Sequence, residues 1–173
     1  IKGEKYLKRN KSMREFNNSN FQENTDIVRR NNMYADTHKF VAIVNKNLDA
    51  GVALNALAHA TAGLVASASN ELQEKMSFIN FPDKSGNDHK SISALSLIVL
   101  RGTSNEIKKA RNKYVEGNIH FVDFLETMTG DTYKEQLIKT ANTEYEDLNF
   151  YGIIAFGEKE ILDPITKRLS LWR

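Results

Sequence analysis

Five consecutive apolar residues, Phe40-Val41-Ala42-Ile43-Val44, constrain this chain more than any other stretch. The run is short, β-branched and bounded by polar residues, which reads as a strand buried on both faces. Such a strand needs helices above and below it, so the rest of the sequence has to supply them. The polar turn Asn45-Lys46-Asn47-Leu48-Asp49-Ala50-Gly51 leads at once into a helix predicted over 52–69, with Asp49 placed to cap it. That helix is rich in small residues (Ala53, Ala56, Ala60, Gly63), which let it lie close against a sheet.

The pattern then repeats. A second amphipathic stretch ends near Met76, and residues 78–93 carry Pro82, Asp83, Ser85, Gly86, Asn87 and Asp88, which spell a loop. Buried strands are predicted at 95–100, 119–124 and 151–157, and helices at 105–116, with Ser104 as its cap, and at 131–141. Asp163 with Pro164 opens a short turn or helix, and Leu169-Ser170-Leu171-Trp172 alternates like an edge strand. Short apolar strands alternating with helices imply an α/β fold: three layers, α/β/α, around a mixed four- to five-stranded sheet.

A length of 173 residues suits one domain with an extension. Net charge divides the chain at residue 37. Residues 1–37 hold a net charge of +3 and seven asparagines, whereas residues 38–173 carry −1. The expectation is a basic, Asn-rich arm over 1–37, flexible or loosely docked, and a single α/β domain over 38–173. The basic character of the whole chain therefore says little about the domain's partners. Absence of cysteine excludes thiolate metal sites, thiol catalysis and disulfides. No apolar run reaches the roughly 18 to 20 residues that span a bilayer, so the chain reads as soluble and cytoplasmic, without a membrane partner.

Two stretches go beyond a generic α/β pattern. Residues 41–60 resemble the strand–turn–helix opening of the type II peptidyl-tRNA hydrolase fold. Gly152-Ile153-Ile154-Ala155-Phe156-Gly157, followed by Asp163-Pro164-Ile165-Thr166 and Leu169-Ser170-Leu171-Trp172, looks like that fold's closing strand and ending. The likeness is closer still to the domain of unknown function 2000 family, through Asn55, a loop like 78–93 with Asp83, Gly86 and His89, and the pair Thr129-Gly130. The resemblance covers residues 39–173 and implies a fold like that of the hydrolases. The hydrolase opening carries lysines and a glutamine in its active site. In this chain His59-Ala60 matches the final pair of that opening, but Ala56 stands at the glutamine position and the lysines are replaced by a shorter turn. A methyl group neither positions a water nor hydrogen-bonds a carbonyl.

The candidate catalytic residues are His59, Asn55 and Asp123. Asn55 and His59 lie four apart and share one helix face, where they could orient a ligand amide or carboxylate and move a proton. The structural alternative makes His59 a satisfied core histidine and Asn55 a tie to a loop. Asp123 is a base only if it meets His59 across the crevice; otherwise it is a strand-end carboxylate. Candidate ligand-binding residues are Lys46, Asp49 and Gly51 at the helix start, where free N–H groups attract anions, Asp83 and His89 on the loop, and Thr129 after the third strand. Each also has an ordinary surface or turn role. No metal motif, nucleotide fingerprint or Ser-His-Asp triad can be read, and no cofactor is expected.

Three functions follow as expectations. The first is a domain that binds a small-molecule or aminoacyl-like ligand at the start of its first helix. The second, implied by the resemblance, is a peptidyl-tRNA hydrolase-type esterase with rearranged catalytic groups. The third is a non-catalytic RNA- or protein-interaction module. An edge strand open to pairing also leaves room for a homodimer.

Overall fold

The computed structural model describes residues 34–173. Most of the expected arm lies outside the described residues. Its last four are docked on the domain: Tyr34 and Ala35 pack on the core, and Lys159 donates from its backbone to the Thr37 carbonyl (2.8 Å) and from Nζ to that of Ala35 (2.6 Å).

In chain order the elements are β1 (His38–Asn45), α1 (Ala50–Ala66), α2 (Asn70–Lys75), β2 (Phe78–Pro82), β3 (Asp88–Ser93), β4 (Leu97–Gly102), α3 (Ser104–Glu116), β5 (His120–Leu125), α4 (Tyr133–Ala141), β6 (Phe150–Glu158), α5 (Lys159–Thr166) and β7 (Ser170–Leu171). Five strands form one mixed sheet in the order β5-β6-β1-β4-β7. Strand β1 runs parallel to β4 and antiparallel to β6, while β5 and β7 pair antiparallel with their neighbours. The apolar run does lie at the centre, with Val41, Ala42 and Ile43 wholly buried.

Successive strand residues face opposite sides, and the core divides accordingly. Phe40, Ala42, Ile154 and Phe156 meet α1 through Ala56, Ala60 and Leu64. Val41, Ile43, Ile153 and Ala155 meet α3 and α5 through Ile107, Tyr114 and Leu162 on the other face. This is the three-layer α/β arrangement. The small residues of α1 explain how near it lies. A Cβ on Gly63 would come within 3.3 Å of Val122, and one on Gly152 would sit 4.0 Å from the Ala56 methyl.

Several local expectations are corrected. Residues 78–93 form the β2–β3 hairpin, a separate two-stranded sheet, because Asp83 and Asn87 close a turn between two short, mostly exposed strands that sequence composition reads as loop. Helix α3 is capped by Thr103, not Ser104, in a reciprocal box with Glu106, and the Ser104 hydroxyl instead accepts from the Phe150 N–H (2.9 Å). Asp49 occupies the N-cap position of α1 but its side chain makes no capping bond. Asp163 and Pro164 lie inside α5, and Asp163 reaches back to pair with Lys39 of β1.

Lys39 is only 5% exposed, so this ion pair joins a buried ammonium to a carboxylate in contact with water. Asp163→Ala should cost about 1–2 kcal/mol, between the values for surface and buried pairs. Adding Lys39→Met to that variant should restore most of the loss in urea unfolding. If the double variant is no more stable than Asp163→Ala alone, the pair is not what holds α5 to β1. Among the described residues, no helix is long and apolar enough to cross a membrane.

Candidate functional site

The site is built where β1 ends and α1 begins. Asn45, buried at the end of β1, donates from Nδ2 to the Phe150 carbonyl (2.9 Å) and accepts at Oδ1 from the Asn47 N–H (3.1 Å). Its two bonds hold the connecting turn to the start of β6. The Lys46 N–H donates to the Gly102 carbonyl (2.8 Å), so the turn is also tied to the end of β4. Lys46, Asp49 and Gly51 are exposed around the first turn of α1, and open space surrounds the position of a Cβ on Gly51. The first N–H groups of this 17-residue helix have no carbonyl partner within it and no side-chain cap from Asp49.

Asn55 and His59 follow on α1, and both are exposed. His59 is therefore not a core histidine. Its ring stacks on Phe124 of β5, with centroids 5.5 Å apart and planes at 26°. Asn55 lies one helical turn nearer the N-terminus. Strand β5 is parallel to β1 through their shared neighbour β6, so its C-terminal end lies at the same sheet edge as the start of α1. Asn55 is thus placed toward the turn Glu126–Met128 that leaves β5. Among the described residues neither Asn55 nor His59 makes a side-chain hydrogen bond or ion pair.

Asp123 is the first correction at the site. It accepts from Arg111 Nε at 2.6 Å, and Arg111 lies against the rings of Phe121 and Tyr145 in the α3 layer. Phe124, the next residue, faces His59. Alternation along the strand sends Asp123 to the opposite side, where it cannot act as a base for His59. Asp83 and His89 are the second correction. Asp83 accepts from the backbone of Ser85 (2.8 Å) and Asn87 (3.0 Å) and lies 3.8 Å from His89 Nε2. The Asn87 side-chain amide, with these backbone donors, holds the Asp83 carboxyl below its usual range. Both residues serve the hairpin turn, and no hydrogen bond or ion pair links them to α1 among the described residues.

Thr129 does lie at this end of the sheet. Its hydroxyl donates to the Glu126 carbonyl (2.6 Å) and closes the Glu126–Met128 turn, so its polar group is committed to structure.

Two further residues join the site. The pairing of β5 with β6 is irregular between Phe124 and Leu125, whose partners are Gly152 and Phe150. Tyr151 is the extra residue of this bulge. Phe150 packs in the α3 layer while Tyr151 packs against the α1 layer, a re-aiming that bulges produce. Burial, and then the charge of Glu126, push the Tyr151 phenol up. It stays protonated at neutral pH and is a standing donor. Glu126 accepts from Asn149 Nδ2 at 2.9 Å, which leaves its other oxygen available. The assembled edge therefore offers an amide, an imidazole, a phenol and a carboxylate beside an aromatic surface. Groups of these kinds donate and accept hydrogen bonds, and an imidazole can carry a proton.

No curated protein matches the chain. A solved structure of a protein of unknown function, Atu0240 from Agrobacterium tumefaciens strain C58, aligns with a TM-score of 0.66 at 21% identity, covering 79% of this chain and 98% of that one. At that identity the likeness speaks for the fold alone. The model of the family described as protein of unknown function (DUF2000) matches residues 38–173, the whole of the sheet and its helices, and the chain belongs to that family.

Proposed function

We propose that the domain binds a small, aminoacyl-like ligand at the N-terminal end of α1. The observation that carries this reading is the pair Asn55 and His59, set on one exposed helix face with the His59 ring on Phe124 and neither side chain hydrogen-bonded among the described residues. An amide and an imidazole left open beside an aromatic ring suit a molecule that carries a carbonyl, an amide N–H and a short apolar group. Tyr151 and Glu126 add a donor and an acceptor at the same edge.

The esterase reading, suggested by the resemblance to type II peptidyl-tRNA hydrolases, finds less support. Ala56, at the position of the hydrolases' glutamine, is wholly buried against β6 and cannot present a side chain to solvent. The near-neutral charge of residues 38–173 gives RNA no general attraction either.

N-acetyl-L-alanine methyl ester is a suitable probe. Titrated into the 15N-labelled full chain, it should shift the Asn55 side-chain amide and backbone signals of the first turns of α1. Asn55→Ala and His59→Ala should each weaken the response about tenfold, the usual scale for one good polar contact. Both positions are exposed, so the fold should not change. Shifts that are absent, or unaltered by both substitutions, would remove this site from consideration. Release of N-acetylalanine from its tRNA ester, abolished in Asn55→Ala, would turn the binding site into an esterase.

A further inference from the structure

At the sheet edge opposite Asn55 and His59, where β1 and β5 begin and β6 ends, lies a cavity of about 270 Å³. That is just below the roughly 300–1,000 Å³ of sites for drug-sized molecules, so it suits a ligand of amino-acid size. Its floor is apolar. Phe156, 1% exposed, carries the His38 ring stacked on it with centroids 5.7 Å apart, and Leu72 and Ile161 stand at the sides. Ile161 is an α5 residue left 49% exposed at this mouth.

The polar groups around that floor carry opposite charges on different elements. Lys75, at the C-terminal end of α2, holds its ammonium 3.0 Å from Glu71, which uses one of its three donors. Glu158, at the end of β6, acts electrostatically on both Lys75 and His38. Lys75 and Glu158 do not pair with each other among the described residues. His120 also lines the cavity, and its Nε2 lies 2.8 Å from the Leu64 carbonyl. A carbonyl only accepts, so that nitrogen carries the hydrogen of this bond.

We infer that this cavity binds an apolar α-amino acid as its zwitterion, the carboxylate on Lys75, the ammonium on Glu158 and the side chain over the His38 ring between Leu72 and Ile161. A cation and an anion on different elements lining one cavity match the two ends of such a molecule. A simple carboxylic acid uses only one of them. This site is separate from that at Asn55, and either can exist without the other.

Three probes test it: L-leucine, 4-methylpentanoate, which lacks the ammonium, and isopentylamine, which lacks the carboxylate. With the 15N-labelled full chain, leucine should shift the amides of Gly117, His120 and Gly157 and bind more tightly than either fragment. Lys75→Met should weaken leucine and 4-methylpentanoate about tenfold each. Glu158→Gln should weaken leucine about tenfold and leave 4-methylpentanoate unchanged. Neither substitution touches the core, so amide spectra elsewhere should overlay on the wild type. The inference is overturned by the absence of shifts at about 20 mM leucine, well above a millimolar dissociation constant. It is equally overturned by shifts that appear only around Asn55, or by Glu158→Gln acting alike on leucine and 4-methylpentanoate.

Discussion

Ala56→Gln should destabilise the domain by about 2–6 kcal/mol and confer no esterase activity. The substitution supplies the very glutamine that the resemblance to type II peptidyl-tRNA hydrolases asks for, so its failure would be informative. Ala56 is wholly buried, on the line where α1 crosses β6. Its neighbour there is Gly152, and the gap is about one methyl deep, since a Cβ added at Gly152 would already be in van der Waals contact with the Ala56 methyl (4.0 Å) and the Ile43 carbonyl (3.6 Å). A glutamine has no room in that gap. Overpacking a tight core costs about 1–3 kcal/mol, because the helix has to lift or the side chain leave its rotamer. A buried amide without partners adds about 1–3 kcal/mol. Urea unfolding, with a slope of about 2 kcal/mol per molar, should then show a midpoint lower by roughly 1–3 M. A midpoint equal to that of the wild type would mean that α1 moves off β6 freely, and the close packing inferred from its small residues would be wrong. Ester cleavage gained by the variant would instead put the chemistry at this position.

What could be read from the sequence depended on how many faces of an element are buried. Phe40 to Val44 announced themselves because a central strand covered on both sides is apolar throughout. Helix α1 was legible through Ala53, Ala56 and Ala60, which only a close helix–sheet contact requires. The β2–β3 hairpin was not, since Phe81 to Lys90 are all exposed and its turn residues masked the two short strands around them. Asp123 shows a different limit. Its place at the end of β5 was evident, but the face it occupies depends on a register shared with β6, and a shift by one residue would exchange it with Phe124. The shared face of Asn55 and His59 was legible from their four-residue spacing, and both are exposed on it. Tyr151 was missed for the converse reason: strict alternation would place it with the α3 layer, and only the bulge beside Phe150 turns it toward α1.

That bulge leads to the second large effect, at Asn45. Asn45→Asp should cost about 2–4 kcal/mol at neutral pH, and the penalty should shrink as pH falls. The wild-type amide donates to the Phe150 carbonyl and accepts from the Asn47 N–H in a place only 4% exposed. A carboxylate keeps the acceptor but sets a negative charge against the Phe150 carbonyl oxygen, with no hydrogen between them. Once protonated, the same group has an O–H for Phe150 and a C=O for Asn47, so the wild-type pattern returns. Its folded pKa must therefore lie above the unfolded value of about 3.9. The sign follows from proton linkage. Below the unfolded pKa the variant carboxyl is neutral in both states and the penalty is small; it grows as pH rises through the folded pKa and is constant above it. Urea midpoints of variant and wild type compared at about pH 4 and about pH 7 cancel the titration of other groups. Asn45→Leu is the control, losing both bonds with no such pH dependence. An equal penalty for Asn45→Asp at both values would show that the side chain does not hold Phe150. If it does hold Phe150, the neutral-pH variant should also disturb the Tyr151 signals, because the residue that re-aims Tyr151 toward α1 is the one whose carbonyl Asn45 grips.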